Sequence, residues 1–203
     1  MNERERTLWL LGATGSVGQR VLEQLGDRHP FAHIWCIGRR EAPVAARGQH
    51  HHPVDFSGPF ELPVGLVSDV VCALGSNYVT ATDAELWRID HDVPLWVAQQ
   101  ARERGAVRFV LVSTFGAHRF APMLFARARG VLEHALDRVG FEQLRVLHPA
   151  FIADSHIART GLERAAMQTT VWLSRCSSAF ARSRLGPTSC EAVARDVVAA
   201  LSR

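Results

Sequence analysis

The heptapeptide Gly12-Ala13-Thr14-Gly15-Ser16-Val17-Gly18 constrains this chain most, because it lies between an apolar run, Thr7-Leu8-Trp9-Leu10-Leu11, and an amphipathic helical pattern. Glycines at that junction have a physical reason. A tight strand-to-helix turn needs backbone angles that a side chain resists, and a phosphate can then approach bare N–H groups at the helix start. The last glycine lets helix and strand pack closely. The spacing is GxxGxxG rather than GxGxxG, and its meaning comes from the strand–turn–helix context. It predicts that Gly12, Thr14, Gly15, Ser16, Val17 and Gly18 cradle the pyrophosphate of a dinucleotide.

The rest of the chain repeats the alternation. Val17, Val21, Leu22 and Leu25 share one face of a helix ending near Gly26. Apolar runs follow at 34–37 (closing at Gly38), at about 54–56 behind a polar His- and Pro-containing loop, and at 69–74, 107–112 and 144–147. Helical patterns fill about 84–104, where Pro94 should kink or break the helix, and about 122–139. Thr188 and Glu191 stand at capping-box spacing before a closing helix that reaches Leu201. Runs this continuous are buried on both faces, so the expected fold is α/β: a doubly wound parallel sheet of Rossmann type with helices on both faces. The 203 residues fit a single domain. Residues of about 151–187 form a small substrate-side lobe, where the pattern loosens around Trp172 and Phe180.

Composition excludes several kinds of chemistry. All 23 basic residues are arginine, so a Schiff-base lysine or a Walker-type phosphate loop is ruled out. A net charge of +3, evenly spread, argues against nucleic acid. Cys36, Cys72, Cys176 and Cys190 form no CxxC pair and read as free thiols of a reducing compartment. Met1 to Arg6 is charged and the apolar run stops at Gly12, too short for a signal-peptide core or a membrane span. The expectation is a cytoplasmic protein. His50-His51-His52 alternate in direction on an extended chain and have no Cys or carboxylate cluster beside them, so they read as a solvated loop and not a metal site.

The end of the second run reads the nucleotide type. An NAD-selective site places an acidic residue there to hold the ribose hydroxyls, about 20 residues past the glycines. This chain has Gly38-Arg39-Arg40 instead, with Glu41 one step late. Guanidinium groups suit a 2′-phosphate, which favours NADP(H) over NAD(H). Asp55, followed by Phe56, is placed to accept a hydrogen bond from an adenine amine, and Ala73-Leu74-Gly75-Ser76 would bring backbone against the cofactor.

GATGSVG, CIGRRE, VDF, CALGS and VLVST occur in the order found in short-chain dehydrogenase/reductase-like proteins. With RARGVLEHAL and LRVLHPA, the chain resembles the atypical branch that contains the Tat-interacting oxidoreductase-like proteins, over about residues 7–155. The resemblance implies a strand order of 3-2-1-4-5-6. It also implies a nicotinamide site over Ser113, the helix after it and the His148-Pro149-Ala150 loop, which adds Pro149 to the cofactor-binding residues. Redox-active members use a serine at the fifth strand and a Tyr-x-x-x-Lys pair one helical turn apart. Here Ser113 matches, but the pair reads Phe125 and Arg129. Phenylalanine has no proton to give, and arginine can hold a ribose but not shuttle protons. Ser113 and Arg129 are what remain as candidate catalytic residues.

The missing acid leaves two readings open. One is a cofactor-binding or redox-sensing protein, in which occupancy orders the loops near Ser113 and the 150–185 lobe through differential affinity. The other is an NADPH-dependent oxidoreductase reducing a small carbonyl or activated double bond, with Tyr78, His118 or His148 as proton donor. The apolar tail covers a substrate pocket or forms a subunit contact, as in a homodimer. The substrate is not legible in the sequence.

Overall fold

Successive residues of each strand point to opposite faces, and in the central strands both faces are apolar. The computed structural model describes residues 6–77, 80–149, 151–152 and 187–202. The strands β1 (Arg6–Leu11), β2 (Phe31–Gly38), β3 (Gln49–Pro53), β4 (Asp69–Cys72), β5 (Arg108–Val112) and β6 (Gln143–Leu147) form one parallel sheet. Its order is β3-β2-β1-β4-β5-β6. This is the doubly wound Rossmann arrangement, and it bears out the expected strand order.

Leu8, Leu10, Ile34, Cys36, Val71, Val110 and Val112 face one layer, made by α1 (Ser16–Leu25) and α5 (Cys190–Leu201). Trp9, Leu11, Ile37, Val70, Cys72, Phe109 and Leu111 face the other, made by α3 (Val93–Glu103) and α4 (Leu124–Leu136). Each such side chain withdrawn from water contributes about 1.5–3 kcal/mol, so the sheet's two faces hold most of the driving force. Burial on both faces is why the strands read as unbroken apolar runs.

Four local expectations are corrected. The third strand begins before 54–56. His50, His51 and His52 lie inside β3, in register with Trp35, Cys36 and Ile37, rather than in a loop. β3 is an edge strand with a solvated side, which tolerates polar residues. Gln49 starts it by linking to Ala42 and Pro43 carbonyls, and Val54 and Phe56 follow as buried residues beyond its end. The closing helix is capped by Ser189, whose Oγ accepts the Ala192 N–H, and not by Thr188. Thr188 instead belongs to β8 (Pro187–Thr188), which pairs with β7 (Phe151–Ile152) in a two-stranded parallel sheet that periodicity gave no sign of. The helix of 84–104 does break beside Pro94, as expected, but into three pieces rather than two: α2 (Asp83–Trp87), a π-helical turn (Arg88–Asp92) and α3. Pro94 sits in the first turn of α3, and its missing N–H leaves the carbonyl ladder upstream to rearrange. Trp172, Phe180, Cys176 and the lobe expected at about 151–187 fall almost wholly outside the described residues.

Candidate functional site

The glycine turn joins β1 to α1 with Gly12 at φ +82°, and its carbonyl accepts the Gly15 N–H at 2.9 Å. A Cβ on Gly12 would stand 2.5 Å from the Ala73 carbonyl oxygen, so the turn lies directly on the end of β4. A Cβ on Gly18 would stand 2.2 Å from the Gly12 carbonyl oxygen. The third glycine therefore does close helix against turn. Gly15 caps α1 without a side chain, and no acidic residue lies in its first turn. By contrast, Thr82 and Ser189 cap their helices, with Asp83, Glu85 and Glu191 in the first turns. The positive end of α1 carries neither a side-chain cap nor a first-turn carboxylate, as is also true of α4.

A cavity of about 500 Å³ opens over this turn, within the ~300–1,000 Å³ usual for ligand sites. Of the expected cofactor residues, Gly12, Thr14, Gly15, Arg39, Arg40, Asp55, Phe56, Ala73, Leu74 and Gly75 line it. Ser16, Val17 and Gly18 support it from within α1, Val17 and Gly18 being buried. Ser113, Arg129 and Pro149 are not on its wall. Arg39 and Arg40 are exposed and in no ion pair among the described residues, and Glu41 is outside the lining. Asp55 accepts from Ser57 N–H at 3.0 Å and Ser57 Oγ at 2.7 Å. Those bonds hold its carboxyl below the usual range, with a smaller push from Arg39 and Arg88.

Residues the sequence reading passed over complete the wall. Asn77, Thr80, Glu85, Arg88 and Ile89 come from the β4–α2 loop and the helices after it. Thr82 and Glu85 form a capping box, a signal that was legible three residues apart. Arg88 donates to the Phe56 and Gly58 carbonyls and fixes the loop on the far side. Cys36 lies in the floor with its thiol pushed up to about 12 by burial, and Cys72 is raised likewise. Both behave as small apolar groups.

Arg129 sits behind the wall. Its guanidinium pairs with Asp90 at 2.6 Å, both side chains over nine-tenths buried, and donates to the Leu74 carbonyl. Asp90 Oδ2 accepts from Ser76 N–H at 3.2 Å and from Ser76 Oγ. The pair thus pins the 74–76 loop on which the cavity depends. The π turn is what carries Asp90 inward. Ser113 Oγ donates to Glu133 Oε1, and the same oxygen is 3.0 Å from His148 Nε2. Among the other proton-donor candidates, Tyr78 lies outside the described residues. His118 spends its Nδ1 on Phe120 N–H in its own loop, and Gly130 lets that loop touch α4. Among the described residues no three His, Cys, Asp or Glu side chains converge on a metal-sized point.

No family model matches the chain. Its sequence is similar to Protein HTATIP2 of Rattus norvegicus, 27% identical over 78% of this chain and 68% of that one. It is also similar to the mitochondrial protein FMP52 of Eremothecium gossypii, 29% identical over 70% of this chain and 65% of the relative. The chain spans about two thirds of the length of these relatives. Among solved structures, a short-chain type dehydrogenase/reductase from Mycobacterium ulcerans matches with TM-score 0.63 at 19% identity, covering 98% and 83% of the two chains. The Bordetella bronchiseptica enzyme WbmH, in complex with NAD+, matches with TM-score 0.66 at 13% identity, covering 97% and 72%. These comparisons agree with the resemblance carried by the motifs: the sequence is similar to HTATIP2 and FMP52, and the Rossmann fold is shared with solved short-chain dehydrogenase/reductase structures. They also correct one expectation. The fungal relatives are named mitochondrial, which conflicts with a purely cytoplasmic protein. No helix among the described residues is long and apolar enough to cross a membrane.

Proposed function

We propose that this chain binds a nicotinamide dinucleotide, NADP(H) in preference to NAD(H), as a cofactor-binding or redox-sensing protein that lacks the Tyr-x-x-x-Lys pair. The observation that carries the preference is at the end of β2. Two guanidinium groups stand on the cavity wall in no ion pair among the described residues, and the nearby acid, Glu41, is off the wall. A 2′-phosphate satisfies such groups, and a bare ribose does not. Gly12, Thr14 and Gly15 would hold the pyrophosphate on the uncapped start of α1. Asp55 and Phe56 would border the adenine, and Ala73 to Gly75 the far side of the diphosphate. Residues 1–203 act as one domain in this reading, and a second copy of the chain is the natural partner for its apolar tail.

Titration of the cofactor-stripped protein with NADPH, NADP⁺, NADH and NAD⁺, followed by tryptophan fluorescence, tests this. The phosphorylated pair should bind more tightly. Arg39→Ala should weaken NADPH at least tenfold, about 1.4 kcal/mol, and leave NADH within twofold. Equal losses for both nucleotides would sink the assignment.

A second reading, an NADPH-dependent reductase of a small carbonyl or activated double bond, has its own observation. Ser113 is kept at the end of β5, buried, and hydrogen-bonded to a side-chain chain that reaches solvent.

A further inference from the structure

Two side chains on α4, one turn apart, tie three strand ends together. β4 and β5 run in register to Cys72–Leu111, β5 and β6 to Val112–Leu147, and the Ser113 N–H extends the last ladder to the Leu147 carbonyl at 2.8 Å. Ser113 and His148 therefore leave the sheet side by side, next to the β4 end that lines the cavity. Arg129 reaches the β4 end at the Leu74 carbonyl. Glu133 reaches the other two: its Oε1 accepts from Ser113 Oγ and meets His148 Nε2 at 3.0 Å. Exposure rises along this series, from Ser113 at 8% to the Glu133 side chain at 21% and the His148 side chain at 44%. A structural brace needs no such gradient; a path that draws protons from water does.

We propose that Ser113, Glu133 and His148 form a proton relay that replaces the absent Tyr-x-x-x-Lys pair and delivers a solvent proton to the oxygen of a carbonyl substrate. This rests on the reductase reading. A reduced nicotinamide bound in the cavity would supply a hydride to the carbonyl carbon, and the oxygen that takes the C=O π pair would then need one proton. The Ser113 Oγ–H bond breaks as its proton passes to that oxygen. Glu133 Oε1, shared by both neighbours, hands Ser113 Oγ a proton drawn from the His148 imidazolium. Water restores His148, whose ring is the exposed end. Phe125 needs no acidic role in this scheme, and Arg129 is left to its loop.

The test combines NADPH binding with reduction of 2,3-butanedione and 9,10-phenanthrenequinone, both activated dicarbonyls, by the parent protein, Glu133→Gln, Glu133→Asp and His148→Ala. Glutamine keeps the shape and an accepting oxygen, but its amide cannot take up and release a proton as a carboxylate does. Glu133→Gln should bind NADPH with a Kd within twofold of the parent and lose kcat on the order of a hundredfold with little change in KM. Free imidazole should restore His148→Ala in part and Glu133→Gln not at all, and Glu133→Asp should keep some activity. In the cofactor-free protein, Ser113→Ala should move the His148 Cε1–H resonance through the shared carboxylate. Parent-like turnover in both Glu133→Gln and His148→Ala, or NADPH bound with neither dicarbonyl reduced by the parent, would overturn the relay and leave the cofactor reading standing. Failure of the parent to bind NADPH would overturn the cofactor reading itself.

Discussion

At Gly18 a single absent methyl decides whether α1 can sit on the turn that precedes it. The Cβ of an alanine there would lie 2.2 Å from the Gly12 oxygen and 2.8 Å from the Gly12 carbon, both backbone atoms with no rotamer to yield. Alanine's better helix propensity is worth up to about 1 kcal/mol, whereas forced overpacking costs about 1–3 kcal/mol and displaces backbone. The clash wins. Gly18→Ala should lower the urea midpoint and weaken NADPH together, because the same turn serves both. Gly38 is the control: an added Cβ meets nothing within 4 Å, so Gly38→Ala should change stability by less than about 0.5 kcal/mol. Equal stability of Gly18→Ala and the parent would show that the turn is looser than its contacts imply.

At the scale of elements, the π turn of Arg88–Asp92 is where backbone irregularity and the cavity meet. It sends Asp90 inward to Arg129 and sets Arg88 and Ile89 on the wall. Breaking a buried pair leaves an uncompensated charge and costs about 3–5 kcal/mol. Asp90→Asn should pay that in urea unfolding and loosen the 74–76 loop. Replacing both partners, as Asp90→Leu with Arg129→Met, should cost less than Asp90→Asn alone; a double variant as unstable as the sum of the singles would mean the pair is not coupled. Elements of this kind also mark the limit of what was legible. The central strands were readable because burial on both faces makes them continuous, and the glycine turn because backbone geometry selects the residue. β3 was misplaced because an edge strand has no such constraint, and His50 to His52 carry no apolar period. Asp90 and Glu133 were invisible for a different reason: their partners, Arg129 apart, lie on strand ends 14–20 residues away, and no local spacing encodes such a contact.

For the whole molecule, the sheet separates two polar centres at its opposite edges. The cavity lies at the carboxyl ends of β1, β2 and β4, while Asp69 begins β4 at the amino edge, fully buried. Asp69 accepts from Arg6 at 2.8 Å, from Arg108 and from Ser68 Oγ at 2.6 Å, and both arginines also donate to the Leu201 carbonyl at 3.2 Å. Two cations at the carboxyl end of α5 also complement the negative end of its dipole, so this cluster clamps the last helix to β1, β4 and β5. Asp69→Asn should therefore cost about 3–5 kcal/mol, a large share of the ~5–15 kcal/mol that holds a domain folded. It should leave NADPH affinity within twofold at a temperature where the variant is folded. Arg39→Ala should do the reverse, losing affinity with little loss of stability, since Arg39 is exposed. Sites this separate, with no shared partner, are expected to add to within about 0.5 kcal/mol in the double variant. Urea unfolding and NADPH titration of all three proteins measure both quantities. A Kd that follows Asp69→Asn would mean that the sheet transmits strain from one edge to the other, and that fold and site are one cooperative unit.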